Sequence, residues 1–310
     1  MKKYILLLLF SITLLLTGCN SSTDQTNHSK DTPYVVATTG MLGDAIRNIA
    51  GDFIKVDALM GPGVDPHLYK PTMNDLSKLR EADAIFYNGL HLEGKMVEVL
   101  DKLNHEKPTI PVASYLKEEK LIVVSQDGNH KTYDPHIWFD VALWLESIRS
   151  VPEKLCELDP EHCEAYRQNF KKYEQQLQSL HEWTSAQIAS IPQESRVMIT
   201  AHDAFTYFGK AYDIEVRGLQ GISTVAEFGL KDVTELKNYI VQRKIKAVFV
   251  ESSVPTKSLE AVVSGCQEQG HPVQIGGTLF SDAMGANGTP EGTYIGMVKA
   301  NVNTIVHSLK

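Results

Sequence analysis

Residues 160–189 read PEHCEAYRQNFKKYEQQLQSLHEWTSAQIA, an uninterrupted helical pattern near the middle of a 310-residue chain. The apolar side chains recur at steps of four and three residues and share one face: Tyr166, Phe170, Tyr173, Leu177 and Leu180. Pro160 suits the first helical position, and Asp159 suits the N-cap before it. About 30 helical residues would span about 45 Å. That length favours a rigid strut between two lobes, with an ordinary surface helix as the alternative.

Short β-branched or aromatic runs alternate with amphipathic segments on both sides of this helix. Before it, the strand candidates are Tyr34–Thr38, Ile54–Leu59, Ala84–Tyr87 and Ile110–Ala113, with Leu121–Val124 as an optional fifth. After it, they are Arg196–Thr200, Ile214–Arg217, Ala247–Val250 and Val273–Ile275. Strand–helix alternation is typical of parallel sheets. The sequence therefore predicts an α/β fold of two lobes, each with a four-stranded parallel sheet, joined by one long rigid helix.

The first 32 residues predict export and membrane attachment. Lys2 and Lys3 precede an apolar run, Tyr4–Leu16, which is too short to span a bilayer and suits a signal peptide. The run ends in Leu-Thr-Gly before Cys19, a pattern that looks like a bacterial lipobox. Cys19 is therefore the predicted lipidation site, and a plain signal peptide with a chance cysteine is the alternative. The polar residues after it predict a flexible tether.

These patterns predict the organisation of the whole chain. It comprises a signal peptide at 1–18, a lipid-anchored tether at 19–32, an N-terminal lobe at 33–155, a linking helix at 156–192 and a C-terminal lobe at 193–310. A hydrophobic content of 43% excludes a disordered chain. The formal net charge of −8 becomes −10 when the two lysines of the signal are removed, which argues against nucleic acid as a partner.

Besides Cys19, three cysteines lie in the mature chain. Cys156 and Cys163 flank a predicted break between two helices, and close cysteine pairs in an exported protein tend to bridge. The sequence leaves open whether they form a disulfide or stay reduced, because it does not report their separation. Cys266 is predicted to lie buried on a helix as a small apolar residue.

The tripeptide Asp-Pro-His occurs twice, and we call these copies the first segment (residues 65–67) and the second segment (residues 134–136). Proline restricts the backbone around it, so each tripeptide holds its histidine on a stiff corner. His67 and His136 are thus candidate metal ligands. His202 follows the first strand of the C-terminal lobe, and Asp282 follows its last strand. Parallel α/β sheets bind ligands beyond the carboxyl ends of their strands, so these four side chains are expected to meet.

Four stretches, together with the order in which they occur, resemble the metal-binding lipoproteins that serve ABC importers, the cluster A-I solute-binding proteins. The stretches are Asp65–His67, Asp134–Trp138, Thr200–Phe208 and Ser281–Tyr294. The resemblance runs from about residue 34 to the C-terminus. It implies two α/β lobes joined by one long helix, with a metal ion held between them by His67, His136, His202 and Asp282.

The same resemblance implies a function. The chain would capture a divalent transition metal outside the cytoplasm, zinc or manganese with iron as a further candidate, and deliver it to an ABC permease. It would act as a monomer attached to the membrane by its lipid, and it would not be an enzyme. Manganese-binding members that resemble this chain often carry glutamate where His202 stands. Zinc-dedicated members often carry a long His-rich loop, whereas residues 125–133 contain only His130.

Two alternatives stay open at the level of the sequence. A zinc hydrolase on the same scaffold would need an open metal position and a general base, for which Glu251 and Glu227 are the candidates. Glu251 is more simply explained as a carboxylate behind a metal ligand. The other alternative is a lipoprotein that binds an organic solute or acts as an adhesin, with the histidines incidental.

Overall fold

Four parallel strands form the sheet of the N-terminal lobe in the computed structural model, which describes residues 32–128 and 130–310. They are β1 (Tyr34–Ala37), β2 (Lys55–Ala58), β3 (Ala84–Tyr87) and β4 (Thr109–Pro111). The strand order is β2-β1-β3-β4, so the chain leaves the central β1 towards both edges of the sheet. The loops beyond the carboxyl ends of such strands border the crevice in which α/β sheets bind ligands. The predicted parallel α/β sheet of this lobe is confirmed.

A separate hairpin follows this sheet. Strands β5 (Val123–Asp127) and β6 (His130–Tyr133) pair antiparallel with each other. The optional fifth strand predicted at 121–124 therefore begins two residues later and pairs with the chain just after it. All five residues of β5 are exposed. The strand therefore lacks the apolar face from which a partner strand could have been predicted.

Five helices cover the described part of the N-terminal lobe. They are α1 (Gly40–Ala50), α2 (Met73–Glu81), α3 (Val97–Asn104), α4 (Val141–Ser147) and α5 (Val151–Leu158). Side chains cap the starts of α1, α2 and α4. Thr72 and Asp75 form a capping box at the start of α2. Asp140 caps α4, where its carboxylate accepts hydrogen bonds from the backbone N–H groups of Ala142 and Leu143.

The long helix α6 (Cys163–Ala189) joins the two lobes. Its seven buried residues include the whole predicted apolar face, and each large apolar side chain contributes about 1.5–3 kcal/mol when fully buried. The start differs from the prediction, because residues 160–162 form a 3₁₀ turn before the α-helix. Asp159 does not cap the helix. Its carboxylate instead accepts a hydrogen bond from the Tyr166 hydroxyl at 2.5 Å and lies 2.7 Å from His162 Nδ1.

Four more strands build the C-terminal lobe: β7 (Val197–His202), β8 (Glu215–Gln220), β9 (Ala247–Glu251) and β10 (Gln274–Leu279). They form two parallel pairs, β7–β8 and β9–β10, rather than one continuous ladder of hydrogen bonds, and β7 packs beside β9. The register of β10 shifts at Gly277, whose φ of +150° suits glycine. The lobe's helices are α7 (Thr206–Tyr212), α8 (Leu230–Arg243), α9 (Lys257–Glu268) and α10 (Tyr294–Leu309).

The largest hydrophobic core runs through the molecule rather than ending at a lobe boundary. It combines side chains of α1, α4, α5, α6, α7 and α10. Each lobe also has one smaller core under its outer helices. Trp138 and Tyr294 belong to the large core and are at most 1% exposed. Among the described residues, no helix combines the length and the apolar character that crossing a membrane requires.

Candidate metal centre

Three imidazoles and one carboxylate converge between the lobes. His67, His136, His202 and Asp282 each offer one ligand atom, and these four atoms lie within 4.8 Å of one another. All four residues are buried, with exposures between 0% and 3%. Neither oxygen of Asp282 accepts a well-formed hydrogen bond from the residues that the structure describes. Buried carboxylates are normally paired, so this arrangement points to a cation that the four side chains can share.

The distances within the cluster are short enough for a common ion. His67 Nε2 lies 3.2 Å from His136 Nε2, and His202 Nε2 lies 3.3 Å from Asp282 Oδ2. Asp282 Oδ1 lies 3.5 Å from His136 Nε2. Nitrogen and oxygen donors of this kind are the ligands of zinc and other transition ions.

The two Asp-Pro-His segments place their histidines with the help of the aspartate as well as the proline. Asp65 Oδ1 accepts a hydrogen bond from the backbone N–H of His67 at 2.8 Å. Asp134 Oδ1 accepts one from the backbone N–H of His136 at 2.9 Å and lies 2.7 Å from its Nδ1. A carboxylate at Nδ1 orients an imidazole so that Nε2 faces the metal.

The C-terminal lobe completes the cluster with one residue at a strand end and one in a loop. His202 is the last residue of β7, and Glu251 is the last residue of β9. Glu251 Oε1 accepts a hydrogen bond from the backbone N–H of His202 at 2.8 Å, and Oε2 lies 2.6 Å from His202 Nδ1. Asp282 follows β10, next to Ser281, whose carbonyl accepts a hydrogen bond from Trp138 Nε1 at 3.1 Å.

The electrostatics differ among the ligand residues. Burial lowers the pKa of His67 to about 4, so this imidazole is neutral at pH 7. Burial alone would lower the pKa of His202, but Asp282 and Glu251 outweigh it and raise that pKa well above 6.5. Burial raises the pKa of Asp282, but the three histidines outweigh it and bring the pKa below its usual 3.8. The cluster therefore presents a carboxylate anion to any bound cation.

Other residues singled out in the sequence lie elsewhere. Cys19 lies outside the described residues. Cys156 and Cys163 form a disulfide at the corner before α6, and Cys266 is buried on α9. Asp203 lies beside His202, and its carboxylate accepts a hydrogen bond from the hydroxyl of Thr206, the first residue of α7.

Sequence reasoning did not identify the side chains that hold the second segment from outside. Asn88 Nδ2 donates a hydrogen bond to the carbonyl of Pro135 at 2.9 Å. The Tyr207 hydroxyl, from the other lobe, donates to the carbonyl of Asp134 at 3.0 Å. These contacts join residues far apart in the chain, so no local pattern revealed them. The sequence pointed to this part of the site only through the aspartate that precedes Pro-His in both segments.

A buried His₃Asp cluster between two α/β lobes on one long helix defines a metal-binding protein of the two-lobed, rigid-helix type. Residues 35–308 match the family described as "Zinc-uptake complex component A periplasmic" (ZnuA), and the chain belongs to this family. The family consists of binding proteins for metal uptake, so the chain is not an enzyme.

Relatives named as metal-binding proteins cover nearly the whole chain. The manganese-binding lipoprotein MntA of Bacillus subtilis is 48% identical over 311 aligned positions, covering 100% of both chains. The zinc-binding protein TroA of Treponema pallidum is 48% identical over 277 positions and 89% of each chain. The solved structure of that periplasmic zinc-binding protein superposes with a TM-score of 0.86 over 90% of this chain and 99% of its own.

The hydrolase alternative is not favoured by the geometry either. Glu251 is 3% exposed and already bound to His202, so it is not free to act as a general base. Glu227, the other candidate, is exposed on the segment between β8 and α8. Glu251 is thus engaged with a ligand side chain, and Glu227 lies at the protein surface.

Proposed function

We propose that this protein captures a divalent transition ion, zinc or manganese with iron as a further candidate, and hands it to the permease of an ABC importer. His67, His136, His202 and Asp282 are the proposed ligands, and Asp134 and Glu251 orient two of the imidazoles. The observation that carries the proposal is a buried cluster of four ligand atoms within 4.8 Å, with no hydrogen-bond donor for the Asp282 oxygens among the described residues. The names of the relatives, which include both manganese and zinc, support the same function.

The composition of the site favours zinc in vitro. Three imidazoles and one carboxylate make a nitrogen-rich shell, and zinc stands above manganese in the divalent affinity series. We expect one metal ion per chain and tighter binding of zinc than of manganese in a competitive titration at one fixed pH. The His202→Glu variant replaces nitrogen with oxygen and should narrow that preference, whereas His105→Ala, at an exposed histidine, should leave it unchanged.

Three results would count against this assignment. Absence of bound metal by elemental analysis would reject the metal-binding function. Manganese outcompeting zinc on the wild-type protein would reject the argument from coordination. If the ratio of zinc affinity to manganese affinity is the same in His202→Glu as in the wild type, His202 is not a ligand.

The proposed location is the outer side of the cell membrane, with the chain anchored as a monomer through a lipid on Cys19. The lipobox-like sequence supports this, and so do relatives named as lipoproteins. We expect Cys19→Ala to move the protein from the membrane fraction to the soluble fraction, because the acyl chains supply the attachment. Sedimentation of the released protein should give the mass of one chain. Persistent membrane association of the variant would contradict the anchor, and a dimer mass would contradict the monomer.

The proposed domain boundaries are those expected from the sequence, with lobes at 33–155 and 193–310. The four-stranded sheet ends well before residue 155, and β7 starts after residue 192. Limited proteolysis, with the fragments identified by mass spectrometry, would test them, since cuts inside a lobe rather than near its ends would contradict the division.

A further inference from the structure

The proposed ligands are so deeply buried that a metal ion cannot reach them unless part of the protein moves. His136 and His202 are 0% exposed, and His67 and Asp282 are 3% exposed. Among the described residues, Asp65, Asp134 and Ser281 each lie within two residues of a proposed ligand and accept a hydrogen bond from the opposite lobe. Their surroundings differ, and the difference indicates where the site opens.

Two of these three bonds lie in the buried interior. The Tyr207 hydroxyl donates to the Asp134 carbonyl, and Trp138 Nε1 donates to the Ser281 carbonyl. Tyr207 is 2% exposed and Trp138 is 1% exposed, and both belong to the large core. Opening the molecule here would expose two buried aromatic side chains and leave their polar atoms without partners. This side of the site is therefore expected to stay closed.

The third bond lies at the rim. The Thr224 hydroxyl donates to Asp65 Oδ2 at 2.6 Å, and both residues are only partly buried. Thr224 belongs to residues 221–229, the connection between β8 and α8, which we call the 221–229 segment. The segment is neither helix nor strand, and Val225 and Phe228 within it are 50% and 37% exposed. Few packed contacts would be lost if it moved.

Asp65 links this segment directly to a proposed ligand. Its Oδ1 holds the backbone N–H of His67, while its Oδ2 holds Thr224 across the cleft. The imidazole of His67, unlike those of His136 and His202, has no carboxylate at Nδ1 among the contacts of the described residues. Asp65 thus holds His67 by its backbone N–H and is itself bonded to Thr224 of the C-terminal lobe. No carboxylate among the described contacts orients the His67 ring at Nδ1.

We infer that Thr224 and Asp65 form the release latch of the metal site. The inference rests on the proposed function. When the bond between them breaks, the 221–229 segment and the first segment separate and the ion leaves past His67. When it forms, the ion is enclosed. Thr224 is a positioning residue in this process, because it contacts the carboxylate that holds a ligand and not the metal.

The test compares Thr224→Val, which removes the hydroxyl at nearly constant shape, with Thr224→Ser, which keeps it. Each protein is loaded with Zn²⁺, and release into excess chromophoric chelator is followed by stopped flow. A lost hydrogen bond to a carboxylate should speed release about 10-fold. Thr224→Ser should stay within about twofold of wild type, and so should the control Thr234→Val, at an exposed threonine of α8. Association should change little, because the open state is the one that takes up metal.

The possible outcomes distinguish a failure of the proposed latch from a failure of the proposed metal-binding function. If all proteins hold one zinc ion and Thr224→Val releases it at the wild-type rate, the latch is wrong and the proposed function stands. If the wild-type protein binds no zinc, the proposed function itself fails. If Tyr207→Phe speeds release and Thr224→Val does not, the site opens on its buried side and the latch is overturned. Circular dichroism spectra that match wild type would show that each variant is folded.

Discussion

The two Asp-Pro-His segments have the same sequence and different surroundings. In both, an aspartate oxygen accepts the backbone N–H of the histidine, at 2.8 Å in the first segment and 2.9 Å in the second. In the second segment the same oxygen also lies against the ring of His136, and Asp134 is 0% exposed. In the first, the other oxygen turns outwards to Thr224. The tripeptide thus sets the backbone turn, and the fold around it decides what else the carboxylate holds.

The second segment is also held from both lobes. Asn88 binds the Pro135 carbonyl from one side, and Tyr207 binds the Asp134 carbonyl from the other. The buried carboxylate of Glu93 fixes Asn88 in turn, through a hydrogen bond from its backbone N–H at 2.8 Å. The first segment has no comparable clamp among the described contacts, and we regard it as the movable side of the site.

The largest effect should come from removing the ligands themselves. His67→Ala and His136→Ala should each lower metal affinity by more than the roughly 10–100-fold that the loss of an outer partner costs, because each removes one donor from a four-ligand shell. Chelator competition measures the loss, with His105→Ala as the control. The apo protein should remain folded, since the cores supply the stability. If either variant binds metal with wild-type affinity, the histidine that it lacks is not a metal ligand.

The next effect should distinguish the two aspartates. Asp134→Asn removes the negative charge beside the His136 ring and should lower affinity about 10–100-fold. Asp65→Asn can still accept the His67 N–H and can still bond to Thr224, so we expect a loss below about 10-fold, seen mainly as faster release. Titration and stopped-flow release on the same preparations would measure both. Equal losses in the two variants would remove the distinction between a fixed and a movable segment.

The smallest effect concerns Glu93, which supports only the second segment. Burial raises its pKa above the usual 4.5, so the native protein binds this proton more tightly than the unfolded chain does. The stabilising contribution is present below pH 4.5 and is lost as the pH rises through the native pKa, by about 1.4 kcal/mol per pKa unit. Glu93→Gln lacks this titration but can keep the acceptor for Thr38 and Asn88.

The difference in unfolding free energy between wild type and Glu93→Gln should therefore fall as the pH is raised from 4.5. Urea denaturation of the metal-free proteins at several pH values measures it. The comparison with the variant cancels the other titrating groups. A difference that does not vary with pH would show that the Glu93 carboxylate titrates alike in the native and unfolded chains.

Much of the fold and the four clustered residues could be predicted from the sequence. Strands such as Ala84–Tyr87 stand out because buried parallel strands are continuous apolar runs. The histidines stand out because Asp-Pro-His occurs twice and both copies lie near predicted strand ends. The capping box of α2 and the cap of α4 likewise depend on neighbouring residues in the chain.

What could not be predicted depends on contacts between distant parts of the chain. The partner strand of β5 could not be predicted because the residues of β5 are exposed on both faces. The division of the C-terminal strands into two pairs depends on how β7 meets β9, which neither strand encodes alone. No local pattern reveals the contacts of Thr224 and Tyr207, since each acquires its role from a residue in the other lobe.

The proposed ligands lie far apart in the chain, and this has a consequence for how long the protein survives. A site built from residues as far apart as His67 and Asp282 exists only in the complete fold, so bound metal stabilises the whole chain by RT ln(1 + [metal]/Kd). Proteases attack transiently opened chains. Well-supplied cells would thus degrade this protein slowly and starved cells quickly, which would make its half-life a gauge of metal supply.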